Sequence, residues 1–251
     1  MTTKKMKAVV IKVSDLGESD KIVTFYSQEL GKMAGIAKGA KKSKKRFSNK
    51  LEIFSLLDVI YDDRSKSGLV RIVEAELLTP FISLRENYDH YVGAALACEL
   101  IYYWSREFDA DRNIFNLLIW ALQSIDCGKS PRVVQIFFQI KLYTLLGYKL
   151  HLSACIKCGI AEQGGKPYAF HPGRHGLLCR NCSPSPISRE MISLSMSTIK
   201  LLQHAHDLPM EKVERLRFSE ASTHEALLLF KTYGQYLLQK EILAWNFLEK
   251  T

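Results

Sequence analysis

Two groups of residues in this chain have the types and spacing to do chemistry. The first is four cysteines, Cys155 and Cys158 in "CIKCG" and Cys179 and Cys182 in "CRNC", in the pattern C-x2-C-x20-C-x2-C. Two intervening residues let both thiolates of a tight turn point at one centre, and two such knuckles close a tetrahedron around a soft dication. Gly159 follows the first knuckle, where positive φ suits the turn. Between the knuckles, "YAF" and "LLC" flank "HPGRHG", which reads as a short hairpin carrying the second knuckle over the first. The pattern predicts one structural Zn2+ held by Cys155, Cys158, Cys179 and Cys182; iron shares the same donor set. Two disulfides would need an oxidising compartment, and a redox dithiol accounts for one CxxC but not two. Four thiolates fill the shell and leave no open position for a reacting water, so the metal is expected to brace rather than catalyse. His171 and His175 are then hairpin residues. Lys157, Arg174 and Arg180 flank the ligands and would offset the −2 charge of a zinc tetrathiolate. Cys98 and Cys127 read as ordinary thiols.

The second group is cationic. Residues 38–50 hold Lys38, Lys41, Lys42, Lys44, Lys45, Arg46 and Lys50 and no acidic residue. Formal net charge is +9, and residues 1–50 contain 13 Lys or Arg against 4 Asp or Glu, which is also +9; the remaining 201 residues balance at 22 against 22. Charge so lopsided points to a polyanionic partner, nucleic acid or an anionic surface. The run has no periodic apolar face, which disfavours a membrane-lying helix. A solvated surface loop would be the plain alternative. Lys38, Lys41, Lys42, Lys44, Lys45 and Arg46 are the expected phosphate contacts. Phe25, Tyr26, Phe47, Phe54 and Tyr61 are candidate rings for base stacking; Tyr26 and Phe47 have polar neighbours and the others read as core.

These groups need elements to position them. "KAVVIKV" (7–13), "DKIVTFYS" (20–27), "GKMAGIAKG" (31–39), "FSLLDVIYD" (54–62) and "GLVRIVEAELL" (68–78) are rich in β-branched and aromatic residues and separated by turns. Gly31, Gly35 and Gly39 would permit sharp curvature or a bulge. Five short strands in about 80 residues suit a small closed barrel of the oligonucleotide-binding (OB) type, with an SH3-like barrel as the alternative. The cationic run would then be a rim loop between the third and fourth strands. Beyond Pro80 the apolar spacing becomes helical at 88–107, 113–125, 131–147, 188–207 and 223–250, the last as one long helix. The fold class is therefore α+β and multidomain: an OB-type barrel at 1–80, then an all-α domain at 81–251 with a zinc-ribbon insert at 151–186. No apolar run reaches the roughly 20 residues of a membrane span. The N-terminus begins basic and turns apolar, but the apolar part is interrupted by Lys12 and has no small-residue cleavage site, so a cytoplasmic protein is expected rather than a secreted one.

With both motifs in place, "GESDKIVTFYSQELGKMAGIAKGAKKSKKRFSNKLEIFSLLDV" (17–59) resembles the N-terminal domain of the bacterial recombination mediator RecO, and the paired CxxC motifs match its zinc-bearing members. The resemblance implies an OB-fold that binds single- and double-stranded DNA and anneals complementary strands. It implies work with RecR, and with RecF, to load RecA recombinase onto DNA coated by single-strand-binding protein (SSB), and binding of the SSB C-terminal tail. It implies no nucleotide hydrolysis, consistent with the lack of a GxxxxGK[ST] loop, and no enzymatic activity. Two other readings compete. One is an RNA-binding OB and zinc-ribbon protein of the translation apparatus. The other is a metal-dependent nuclease, whose clearest carboxylate pair would be Asp62–Asp63 beside a turn, where Asp is common for conformational reasons.

Overall fold

A computed structural model describes residues 3–62, 69–161, 168–183, 191–210, 212 and 216–248. The chain divides into two compact units, Met1–Lys129 and Ser130–Glu249.

In the first unit, alternating burial closes a barrel. Strands β1 (Lys4–Leu16), β2 (Asp20–Ser27), β3 (Gly31–Ala37), β4 (Leu56–Asp62) and β5 (Val70–Thr79) run in the order β1-β2-β3-β5-β4, and β4 returns to pair with β1. All pairs are antiparallel except β3 with β5, which meet in parallel at Gly35↔Val70 and Ile36↔Arg71. That order is OB-like, and it decides between the two barrels the sequence allowed. Along β3 and β4 every second residue is buried, so Met33, Leu57, Val59 and Tyr61 join Met6, Ala8, Val10, Val23, Phe25, Ile72 and Ala75 in one core. In the middle of β1, Ala8, Val9, Val10 and Ile11 are all buried, because α2 covers the outer side of that strand.

The register shifts that bend the barrel lie in β1 between Val10 and Lys12 and at two places in the β4–β5 pair, not at the glycines. Gly31 has a different task. With φ of 69°, it lies where an added Cβ would sit 2.1 Å from the carbonyl oxygen of Asp109, so only glycine allows that segment to pack down.

Three helices complete this unit. The first is the short α1 (Ser83–Glu86). Asn87 caps α2 (Tyr88–Trp104) through its Oδ1, which accepts from Asp89 N and His90 N. Asp111 caps α3 (Arg112–Asp126) in the same way, at 2.7 Å from Asn113 N. The change from strand to helix falls between Thr79 and Ser83, while the break in compactness comes only after α3.

In the second unit, α4 (Pro131–Leu145) starts on a proline and is followed by Gly147 in the left-handed region. Strands β6 (Tyr168–His171), β7 (Gly176–Leu178) and β8 (Ile192–Leu194) form a small sheet of order β7-β6-β8. Helices α5 (Met196–Asp207) and α6 (Glu220–Leu238) pack with α4 around Phe138, Leu142, Tyr143, Ile199, Leu202, Leu229, Phe230 and Tyr233.

Two helical expectations change here. The segment at 188–207 becomes helix only at Met196, after β8 and a cap in which Ser195 Oγ accepts from Thr198 N. The segment at 223–250 is not one helix: α6 ends at Gln239, whose φ is 50°, and a short α7 (Trp245–Leu248) follows. That turn buries Ile242, Trp245 and Leu248 and leaves Leu243 59% exposed, so tertiary burial outweighs the helical spacing. Among the described residues no helix is long and apolar enough to cross a membrane.

Candidate nucleic-acid interface and metal centre

The cationic segment is a built loop. It leaves β3 at Ala37, forms a 3-10 turn at Ala40–Lys42 and reaches β4 at Leu56. Three apolar side chains, Ala40, Phe47 and Leu51, point down into the barrel core and plug its end. Asp20 hooks the loop's start: its Oδ1 accepts from Gly39 N at 2.8 Å and from Ser19 Oγ at 2.8 Å. The Gly39 N–H, and then the Ser19 hydroxyl, hold the Asp20 carboxyl below the usual carboxylate range. Lys41 N donates to Ser19 O at 3.0 Å, and Lys41 Nζ reaches Asp15 Oδ2 at 2.9 Å and Gly17 O at 3.0 Å. The loop thus lies against the β1–β2 turn, one of the loops OB-folds use for nucleic acid. At its far end Phe54 N donates to Val10 O, Val10 N donates to Ser55 O, and Arg85 donates to Ile53 O and Ser55 Oγ.

On this platform Lys38, Lys41, Lys42, Lys44, Lys45 and Arg46 are all exposed. They are not equivalent. Lys41 is tied to Asp15, and Arg46 spans the loop, donating to Lys38 O at 3.4 Å and lying over the Phe47 ring at 5.0 Å from its centroid. Lys42, Lys44 and Lys45 have no ion-pair partner among the described residues. The sequence reading missed Arg71, exposed on β5 opposite Ile36 and hence two positions from Lys38. Its signal was hidden because "VRIVEAE" reads simply as a strand. The stacking expectation fails: Phe25, Tyr26, Phe47, Phe54 and Tyr61 are at most 4% exposed. Tyr26 faces outward but lies beneath the α2–α3 link, its Oη 3.5 Å from Asp111 O, and burial pushes its phenol up to about 12. Phe47 is the plug described above. Polar neighbours in sequence misled because alternate residues of a strand or loop face opposite ways.

In the second unit the four cysteines converge. The Sγ atoms of Cys155, Cys158, Cys179 and Cys182 all lie within 4.8 Å of one another, with Cys158 and Cys179 3.8 Å apart. Zinc–sulfur bonds of about 2.3 Å in a regular tetrahedron would set sulfurs about 3.8 Å apart. Each knuckle is closed by its own backbone: Gly159 N donates to Cys155 O at 2.8 Å with Gly159 at φ 72°, and Cys182 N and Ser183 N donate to Cys179 O at 2.9 Å. The expected hairpin is β6–β7, paired at Ala169↔Leu178, Phe170↔Leu177 and His171↔Gly176. Ile156 N donates to Leu177 O and so lays the first knuckle along β7.

Burial pushes the Cys155 thiol up, but the backbone N–H groups of Cys179, Cys158 and Lys157 outweigh it and bring it down to about 6. The Cys179 sulfur, with burial, pushes Cys182 up to about 12. Cys155 therefore ionises readily while Cys182 resists ionisation, and a bound dication would offset that resistance. The donor set and spacing fit a metal ion. His175 is not among the clustered ligands; its Nδ1 is 2.8 Å from Tyr233 Oη. Lys157 and Arg180 are exposed within the two knuckles, whereas Arg174 lies in the hairpin tip. Among the described residues no other cluster of three or more Cys, His, Asp or Glu is placed to hold a metal. Asp62 ends β4, and Asp63 lies outside the described residues.

With both sites built, comparison with known proteins gives a consistent result. The family model "Recombination protein O N terminal" matches residues 1–81, and "Recombination protein O C terminal" matches residues 85–245. The chain belongs to the RecO family. Similar full-length relatives include the DNA repair protein RecO of Syntrophus aciditrophicus (strain SB), 30% identical over 99% of this chain and 96% of the relative. The DNA repair protein RecO of Desulfatibacillum aliphaticivorans is 31% identical over 96% and 95%, and that of Syntrophobacter fumaroxidans (strain DSM 10017 / MPOB) is 32% identical over 87% and 86%. RecO membership places the chain in DNA repair and recombination, which favours neither the translation reading nor the nuclease reading. It also accords with an OB-like barrel preceding a helical region that carries the four-cysteine cluster.

Proposed function

We propose that this chain is a DNA-binding recombination mediator that grips single- and double-stranded DNA through Lys38, Lys41, Lys42, Lys44, Lys45 and Arg46. The observation that carries the reading is the exposed lysine set of the β3–β4 loop, held on a fixed platform at the OB-type rim. Each phosphate neutralised by such a cation releases counterions, giving a salt slope of about −0.7 per contact on single strands and −0.9 on duplex. Two strands held on one cationic surface repel each other less, so complementary segments pair faster with no bond made or broken in the protein. Family membership supports the finer steps: annealing of complementary strands, engagement of the SSB C-terminal tail, and loading of RecA onto SSB-coated single strands with RecR and RecF. It supports a cytoplasmic, nucleoid-associated setting. We assign one structural Zn2+ to Cys155, Cys158, Cys179 and Cys182, closing the ribbon without taking part in strand pairing. The test is the annealing rate of complementary oligonucleotides, bare and SSB-coated, with the wild-type chain and with the Lys41, Lys42, Lys44 and Lys45 set changed to Ala. The reading expects acceleration by the wild type and its loss in the variant; equal acceleration by both would remove the loop from the mechanism.

A further inference from the structure

OB-folds that bind single strands commonly stack bases on rings displayed on the β2–β3 face and the neighbouring loops. That face is different here. Its outward residues pair as Ile22↔Ile36, Thr24↔Ala34 and Tyr26↔Lys32. The Tyr26–Lys32 end is roofed by the last turn of α2 and the α2–α3 link: Lys32 Nζ donates to Tyr102 O at 2.8 Å, and Phe108 N donates to Lys32 O at 2.9 Å. The open end, next to the cationic loop, offers half-buried Ile22 and Ile36 with exposed Arg71.

Among the described residues the loops around that open end carry no available ring. Residues 17–19 are Gly, Glu and Ser. Residues 38–55 contain Phe47 and Phe54, which are 3% and 0% exposed. The link from β4 to β5, residues 63–69, lies mostly outside the described residues, but its sequence DRSKSGL has no aromatic side chain. The exposed rings of this unit among the described residues lie elsewhere. Phe108 neighbours Lys32, at the other end of β3 from the loop, about 17 Å away at roughly 3.3 Å per residue. Tyr88 and Tyr91 begin α2 beside exposed Glu86 and Asp89, whose charge repels phosphate.

We infer that the barrel holds a single strand by its phosphates alone, with the bases turned away from the protein and left free to pair. The inference rests on the DNA-binding role proposed above and adds the polarity of the bound strand: backbone inward, bases outward. It gives annealing a physical basis, because a base stacked on a protein ring must be released before it can meet its complement, whereas a base already facing outward need not. Recognition is then indifferent to base identity and to the presence of a base at all.

The test uses the full metal-loaded chain, fluorescence anisotropy and two 20-mers of equal charge, one of thymidines and one in which each nucleotide is an abasic tetrahydrofuran. The inference expects dissociation constants within about threefold of each other and equal salt slopes. A single stacked base would weaken the abasic strand by roughly 5- to 150-fold at the usual strength of base–ring stacking. Tight thymidine binding with that loss for the abasic strand overturns the inference and leaves DNA binding standing; weak binding of both strands at low salt overturns the role beneath it.

Discussion

Changing Lys42, Lys44 and Lys45 together to Ala isolates the electrostatic grip from the fold. All three are exposed and have no ion-pair partner among the described residues, so the triple variant should unfold within about 1 kcal/mol of the wild type, in line with surface substitutions of this kind. Lys41 is left in place because it also fastens the loop to Asp15 and Gly17. If each of the three neutralises one phosphate, the slope of log K against log salt on single strands becomes shallower by 3 × 0.7, or about 2.1. The same relation predicts affinity lower by about 50-fold at 0.15 M salt and about 500-fold at 0.05 M. Anisotropy titrations across that range measure both quantities on one sample. An unchanged slope would refute the phosphate contacts, and a weaker affinity with the wild-type slope would refute the reasoning too, since it would trace the loss to something other than counterion release.

Metal removal should release the ribbon: four-cysteine sites bind zinc with about 10–16 kcal/mol in small peptides, so chelation or Cys158→Ser should abolish a stoichiometry of one zinc per chain and lower the melting temperature, and identical melting of loaded and stripped protein would contradict a structural role. Gly31→Ala should destabilise the barrel unit by about 2–3 kcal/mol, because its φ is 69° and the new Cβ meets Asp109 O; urea titration measures this, and a neutral result would mean that the α2–α3 link does not pack there. Asp20→Ala should loosen the loop's start and weaken DNA binding a few-fold at pH 7. Because the folded carboxyl lies below its ordinary value, the stability it supplies is present above about pH 4 and lost as pH falls through the folded value. The stability gap between wild type and Asp20→Ala should therefore narrow as pH falls below about 4, and a gap that does not change with pH would show that the carboxylate is not its source.

Much of this was legible in the residues. The β-branched and aromatic residues of "DKIVTFYS" and "FSLLDVIYD", set off by turns, made the strands readable, and the x2 spacing of each cysteine pair announced a metal centre because ligand geometry is encoded locally. Long-range packing was less legible. The cationic run was plain, yet its composition could not tell Lys41, spent on Asp15, from Lys42, which has no ion-pair partner among the described residues. Nor could it show that Phe47 is a plug, since a ring amid lysines is apolar enough to bury and polar enough in context to be displayed. The break at Gln239 carries neither glycine nor proline; it exists because Trp245 and Leu248 gain more by burial than the helix gains by continuing. Arg71 reached the loop's vicinity only through the parallel β3–β5 pairing, which joins residues 35 positions apart.

The central claim is that the β3–β4 loop's lysines lie against nucleic-acid backbone. Acetylation footprinting with mass spectrometry, on the full chain with and without a saturating single-stranded oligonucleotide, tests it most directly. The account predicts that DNA shields Lys42, Lys44 and Lys45 from the reagent, with Lys200 on α5 as the exposed reference; acetylation of the three at the same rate with DNA as without it would contradict the account.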